Sequence, residues 1–371
     1  MLDKTVQQAG SNSATRTPSL RHAAAFVPAF ADELRSDRTI YLSVAAYCTV
    51  VAAILILAGT YDGSVFSAYV PMWQITFGVT FPAVFLTWRL AQLMLRQKRG
   101  ASEAVAKVLA PASAARLVAG IVLMQFLLAF QIAFTSAKNA MPVLQGGFPH
   151  DKWQADFDQW LHFGADPVAF VHTHFGSPTL TWLLEQNYSK IWFIVTFGCL
   201  FVSCVGEQAR VRRTHYVLLF VASWVLVGNV FAHLFLSAGP IFYGNVTGDH
   251  ARFASITQHV FDNGSGSSFT QMVQAYLWQM HASGSTAFGT GISAFPSVHV
   301  AATTVVCLAV WRKSQFWGCA SAAYLALILF SSVYLGWHYA IDGYFAIGAV
   351  LVIDWLLRRI LRPEIAGDCA G

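Results

Sequence analysis

Charge is scarce in this chain: 11% of its residues are charged against 56% that are hydrophobic, and mean hydropathy is positive at +0.52. That balance excludes a soluble globule, which has too little polar surface to cover so many apolar atoms. The formal net charge of +5 is small and does not suggest a nucleic-acid partner. Cysteine is scarce as well. Cys48, Cys199, Cys204, Cys307 and Cys319 fall inside apolar runs and Cys369 lies in the last residues, which leaves no pair on an oxidising face and predicts packing roles. His172 and His174 with His150 or His162 come nearest to a zinc set, but no Cys or carboxylate spacing supports it, so neither a metal nor another cofactor is expected.

What the chain has in abundance is apolar runs. Runs of about twenty residues suffice to cross a hydrocarbon core. They can be drawn at 40–59, 69–90, 117–136, 191–205, 216–236, 298–310, 316–335 and 339–357, of which the fourth and sixth are short. Eight spans are expected, with six as the alternative.

Lys and Arg alternate between the connecting segments as the positive-inside rule demands. Arg35 and Arg38, then Arg96, Lys98, Arg99 and Lys107, then Arg210, Arg212 and Arg213, then Arg312 and Lys313, and finally Arg358, Arg359 and Arg362 define one face. The other face carries only Lys138, Lys152, Lys190 and Arg252. Both termini are therefore expected in the cytosol. Residues 1–34 mix Gln, Ser, Thr, Ala and Arg with one short apolar patch and no signal-peptide core, which predicts a flexible cytosolic tail.

Two loops of the sparse face are too long to be turns. In the first, Trp153, Phe157, Trp160 and Leu161 recur at helical spacing among Asp156, Asp158 and Gln159; in the second, Phe269, Met272, Val273, Tyr276, Leu277 and Met280 do the same behind a 263–268 hinge of Asn, Gly and Ser. Both predict interfacial helices, either anchoring the loops or forming a lid over a site at the membrane surface.

The chemistry sits in two short motifs on that face. Ala294-Phe295-Pro296-Ser297-Val298-His299 opens the sixth span, and Tyr334-Leu335-Gly336-Trp337-His338-Tyr339-Ala340-Ile341-Asp342 leads into the last. His338 and Asp342 are spaced i and i+4, one face of a helix, where the carboxylate accepts the proton of one ring nitrogen and frees the other to attack. His299 is placed to protonate a leaving oxygen. Ser297 behind Pro296 caps a helix whose first amides can hold an anion, phosphate above all. Singly, each residue reads as an interfacial or capping side chain; together on one side of a charge-poor protein they read as a site.

Pro296-Ser297-Val298-His299 followed by Ser331-Ser332-Val333-Tyr334-Leu335-Gly336-Trp337-His338-Tyr339-Ala340-Ile341-Asp342 resembles the second and third signature motifs of the type 2 phosphatidic acid phosphatase superfamily. The Ala-Phe-Pro-Ser opening and His-Tyr-x-x-Asp ending are similar to its inositol phosphorylceramide synthase (inositolphosphotransferase) branch. The resemblance extends over about 156–354 if Leu161-His162-Phe163-Gly164 and Ser237-Ala238-Gly239-Pro240 are counted. It implies His338 as a nucleophile forming a phosphohistidine, Asp342 as its partner and His299 as general acid. Two departures stand out. The superfamily's first motif, a Lys followed by Arg-Pro, has no match, since the one Arg-Pro, Arg362-Pro363, lies on the wrong side; and Ser332 stands where the third motif usually has Arg. Positive charge on the phosphoryl oxygens must come from elsewhere. Arg252 is the first candidate, with Lys138 and Lys190 behind it and the amides near Ser297 contributing.

The expectations are then these. The fold is all-α, a polytopic integral membrane bundle of about eight transmembrane helices with a six-helix catalytic core. It divides into a tail at 1–34, N-terminal transmembrane helices at 35–136, a catalytic membrane domain at 137–360 and a tail at 361–371. His338, His299 and Asp342 are the catalytic candidates; Ser297, Arg252, Ser332, Tyr243 and Asn245 are the substrate-binding candidates. Asn229 and His233 either line the pocket or bond between helices, and Asp354 and Arg358 pair at the cytosolic end. The partners are a lipid phosphate and the bilayer, and the site faces the periplasm of a bacterial inner membrane. The activity is phosphohydrolase or phosphotransferase; an inositolphosphotransferase and a non-catalytic transporter or flippase are the alternatives.

Overall fold

The computed structural model describes residues 18–207, 210–262, 268–287 and 289–361, and among them there is no strand. Helices satisfy every backbone group within one segment, which an apolar chain in lipid requires. The helices that position the site are α1 (Pro18–Ser36), α2 (Arg38–Leu57), α3 (Ser64–Arg96), α4 (Pro111–Gln145), α5 (Asp151–Leu161), α6 (Pro178–Val205), α7 (Arg212–Leu234), α8 (Phe269–Ala282), α9 (Val298–Trp311), α10 (Gln315–Tyr334) and α11 (Ala340–Ile360).

Seven of these, α2, α3, α4, α6, α7, α10 and α11, are long and apolar enough to cross a membrane, which makes this an integral membrane protein. The one expected span missing from these seven, the sixth at 298–310, is α9, which has 14 residues. At 1.5 Å per residue such a helix rises about 21 Å, less than a hydrocarbon core of about 30 Å. It is sheltered by packing on α7, α10 and α11, and every residue from Val300 to Cys307 is buried. The other short span, 191–205, is only the second half of α6. Thr181, Glu185 and Asn187 broke the apolar run of its first half, and all three point into the protein.

Residues from Pro18 on, expected as tail, form α1 instead, which packs along α4. Charges distant in sequence hold the α1–α2 junction: Glu33 pairs with Arg213 at 2.8 Å and Arg116 at 3.5 Å, and Asp37 pairs with Arg213 at 2.9 Å. At the same basic end Asp354 meets Arg358 at 2.7 Å as the spacing predicts, and Arg312 at 2.5 Å joins from the start of the next loop.

Both interfacial helices are present. On α5, Trp153, Phe157 and Trp160 stack along the exposed face, while Asp151 and Asp158 are buried on the other. Of the hinge expected at 263–268, residues 263–267 lie outside the described residues, and Ser268 caps α8 by accepting from Gln271 N–H.

Candidate active site

The two motifs are held together by the irregular segment after α7. Ala294 N–H donates to the Ser237 carbonyl at 2.8 Å, Phe295 N–H to Ser237 Oγ at 3.3 Å, and Ile241 N–H to the Gly336 carbonyl at 2.8 Å. Gly239 sits at the crossing with φ +95°, and a Cβ there would lie 2.7 Å from the Trp337 carbonyl and 2.9 Å from Ala294 Cβ. Only glycine fits such an approach. The motifs also touch directly, since Ser297 N–H donates to the Asp342 carbonyl at 3.2 Å.

Beneath this junction lie two carboxylates that sequence reasoning assigned no role at the site. Asp151 accepts from Ala238 N–H at 2.7 Å, Gly239 N–H at 2.9 Å and the Tyr339 hydroxyl at 2.9 Å. Burial pushes its carboxyl up to about 6 against the pull of those three donors. Asp158 accepts from Ala340 N–H and Ile341 N–H, each at 3.1 Å. Its carboxyl is raised by burial as well, opposed by the same two amides. The signal was present as two acids on the face of α5 opposite its aromatic stripe.

His338 and Asp342 meet as their spacing predicts, with Nδ1 3.2 Å from Oδ2. The route differs from a shared helical face. His338 lies in the loop before α11, and Asp342 is the third residue of that helix, reaching back so that Oδ2 also accepts from Tyr339 N–H at 3.1 Å. Two carboxylates, Asp342 and Asp158, thus absorb the free amides of the α11 N-terminus, where negative charge is favoured. The Nδ1–Oδ2 contact leaves Nε2 of His338 as the nitrogen free to react. Burial first, and the Lys138 charge second, hold the His338 imidazole down to about 3, so the ring is neutral at ordinary pH.

His299, one residue into α9, is clamped between the rings of Tyr188, stacked at 4.2 Å, and Trp192, at 4.0 Å. Both come from α6 at a stretch of π-helix, Asn187–Ile191, where the wider turn brings them onto one side. Ser297 caps α9 through Val300 N–H at 3.4 Å.

His299 and His338 line one cavity of about 250 Å³. Among the described residues its one lining cation is Lys138, near the end of α4, and its one lining acid is Glu185. Gly291, at φ +103°, packs its Cα position against the Lys138 stem, where a Cβ would come within 3.0 Å of Cγ. No ion pair engages the Lys138 ammonium among the described residues. Phe269, Thr270, Val273 and Leu277 of α8 roof the cavity, tied down by Thr270 N–H donating to Glu185 Oε1 at 2.8 Å. The lid pattern therefore holds for α8, whereas α5 works from below.

Other candidates lie apart from the cavity. Arg252 is engaged by α5 and the loop after it, with Asp156 at 2.5 Å and Gln159 at 3.2 Å from α5 and Asp166 at 3.2 Å from the loop, and it lines no part of the cavity. Tyr243 is buried against Arg252 and Phe253, and Asn245 is exposed. Ser332 donates its hydroxyl to the Leu329 carbonyl at 2.7 Å and offers its own carbonyl to His338 N–H at 3.2 Å. Lys190 bonds Gln186. Asn229 accepts from the Tyr47 hydroxyl, an interhelical bond, and His233 takes Gln145 Nε2 on its carbonyl at 2.7 Å. Of the histidines weighed for zinc, His172 is spent on the Tyr334 carbonyl at 2.7 Å and on Ser255 Oγ at 3.0 Å.

No curated protein and no solved structure matches the chain at a significant level. The sequence profile of the PAP2 superfamily matches residues 152–356, from α5 through most of α11, and so takes in His299, His338, Asp342 and the Ser237–Gly239 crossing. That match covers more than half of the chain and supports a phosphatase-type enzyme; the protein belongs to the PAP2 superfamily.

Proposed function

We propose that this protein transfers the phosphoryl group of a lipid phosphate through His338. Nε2 attacks phosphorus, the bond from phosphorus to the lipid oxygen breaks, and His299 delivers its proton to that leaving oxygen. Water or an alcohol then attacks the phosphohistidine, the P–N bond breaks, and the attacking hydroxyl returns its proton to His299. Asp342 holds Nδ1–H throughout, fixing the tautomer and stabilising positive charge on the ring. Lys138 neutralises the phosphoryl oxygens, the task for which neither Ser332 nor Arg252 is positioned.

The observation that carries this reading is the single cavity lined by His299, His338 and Lys138, with Asp342 bonded to the far nitrogen of His338. The acceptor is either water or an alcohol such as inositol, and release of free phosphate or formation of a new lipid tells the two apart. The scarcity of Lys and Arg in the segments around the two motifs supports a site on the non-cytosolic face, which we take as the periplasmic surface of a bacterial inner membrane. The deciding experiment gives purified protein in vesicles a radiolabelled lipid phosphate with and without polyols. An acid-labile phosphoprotein that disappears in His338→Ala is expected, with label passing to phosphate or to a new lipid. Label that stays in the starting lipid while it crosses the bilayer would replace catalysis with transport.

A further inference from the structure

The cavity that holds both histidines does not end at Lys138. A second cavity of about 240 Å³ starts from the same side chains, because Lys138, Gly289, Val298 and His299 line both. It continues between α3, α4 and α6, walled by Trp73, Phe77, Phe134, Phe197 and Trp224. Gln131, which also lines it, stands seven residues before Lys138 on α4, so the cavity descends about 10 Å along that helix. Several polar atoms of this wall already have partners: Trp73 Nε1 donates to the Met124 carbonyl at 2.9 Å, and the Tyr69 and Thr135 hydroxyls meet at 2.7 Å. On the outer side Met72 lines the cavity and is itself exposed on the surface of α3, which opens the space sideways to the bilayer.

A space that is ionic at one end and aromatic at the other fits an amphiphile. We propose that this second cavity takes the hydrocarbon chain of the phosphate-bearing substrate, with the phosphate at Lys138 and His338; this rests on the catalytic reading above. An enclosed apolar cavity of about 150 Å³ holds one benzene ring, so this one takes a segment of a single chain, entered between α3 and α6. Its α3 and α4 walls precede residue 152, where the superfamily match begins. Chain selection is therefore shared between α3 and α4, outside the matched segment, and α6 and α7 within it. The larger apolar groove between His162, Phe170, Phe330 and Tyr344 shares no lining residue with the catalytic cavity and is the rival location.

The test uses a dodecyl phosphonate, which cannot be hydrolysed, carrying a diazirine midway along its chain. Photolysis with the full-length protein in vesicles should place adducts within 69–77 and 193–197, and Thr76→Trp, which fills the cavity from α3, should suppress them. Turnover is read in parallel on a long-chain lipid phosphate and on a short soluble phosphate monoester. Thr76→Trp should lower kcat/KM for the lipid by about tenfold or more, the effect of losing roughly two buried methylenes, and leave the monoester unchanged. Phe193→Ala, which widens the same wall, should improve use of a branched chain relative to a straight one and serves if Thr76→Trp does not fold. Adducts confined to 162–171 and 326–344, or equal loss on both substrates in folded protein, would overturn the proposal. Adducts at 69–77 with full turnover in His338→Ala would instead retain the chain site and reject the catalytic reading.

Discussion

Replacing Lys138 tests the site at its most specific point. The ammonium is the one lining cation of the cavity shared by His299 and His338, and no carboxylate pairs with it among the described residues. It has no evident structural partner to lose, so Lys138→Met, which keeps the stem against Gly291, should fold normally. Loss of one preorganised donor to developing charge costs about a hundredfold to a thousandfold, or about 2.7–4 kcal/mol of barrier. Arg252→Ala is the contrast. It leaves Asp156, 70% exposed, to water, but Asp166, 14% exposed, loses its partner inside the protein. Its cost should be about 1–3 kcal/mol of stability, with turnover of the folded protein within a fewfold of wild type. Lys138→Arg should recover only part of the activity, because a planar guanidinium does not place its charge where the compact ammonium does. The assay is release of phosphate from a lipid phosphate by vesicle-reconstituted protein at equal folded concentration. Near-normal turnover in Lys138→Met, together with a hundredfold loss in Arg252→Ala, would refute the reasoning and return the charge to the α5 loop.

Four further outcomes are expected. Asp151→Ala orphans two amides and the Tyr339 hydroxyl, so it should destabilise the protein by about 3 kcal/mol or more and lower turnover with it, read as a fall in Tm. Because the Asp151 carboxyl stands near 6 when folded and near its ordinary value of about 4 when unfolded, the folded form binds more protons between them, and stability should decline as pH rises through that window; a slope identical in Asp151→Asn would refute this. Glu185→Ala frees a first-turn amide of α8, and hydrogen exchange should accelerate across Phe269–Ala282 while α9 and α11 stay protected; unchanged exchange there would mean Glu185 does not fasten the roof. In an otherwise cysteine-free protein, Gly63→Cys should react with an impermeant thiol reagent from outside intact cells and Arg99→Cys should not; the reverse pattern would turn the site to the cytosol.

How much was legible in the sequence varies with how local the cause is. The His338–Asp342 pair was legible because four residues separate its members, and any helix start at Ala340 brings them together. The expectation erred only on the means, an N-terminal cap in place of a helical face. Ser237–Gly239 was recognisable as a segment, but its reason, the near contact of Gly239 with Trp337 and Ala294, involves residues far along the chain. Asp151 and Asp158 were hidden because an amphipathic helix with an aromatic stripe reads the same whether its acids face water or buried amides. By sequence, Arg252 ranks first among the basic residues of the sparse face, with Lys138 and Lys190 behind it. In the fold, Arg252 is bound to α5, and the end of α4 carries Lys138 into the cavity.

By itself the sequence determined that the protein is helical and crosses a membrane, because twenty-residue apolar runs have one way to satisfy their backbone in lipid. It also determined where His299 and His338 sit relative to the helix starts, since caps and i to i+4 spacing are properties of a few adjacent residues. Only the tertiary structure decided which cation meets the two histidines, which helix roofs them and where the apolar extension of the cavity runs. Those depend on α4, α6, α8 and α9 converging from widely separated parts of the chain, and side-chain contacts of that range are set by packing, which no local pattern encodes.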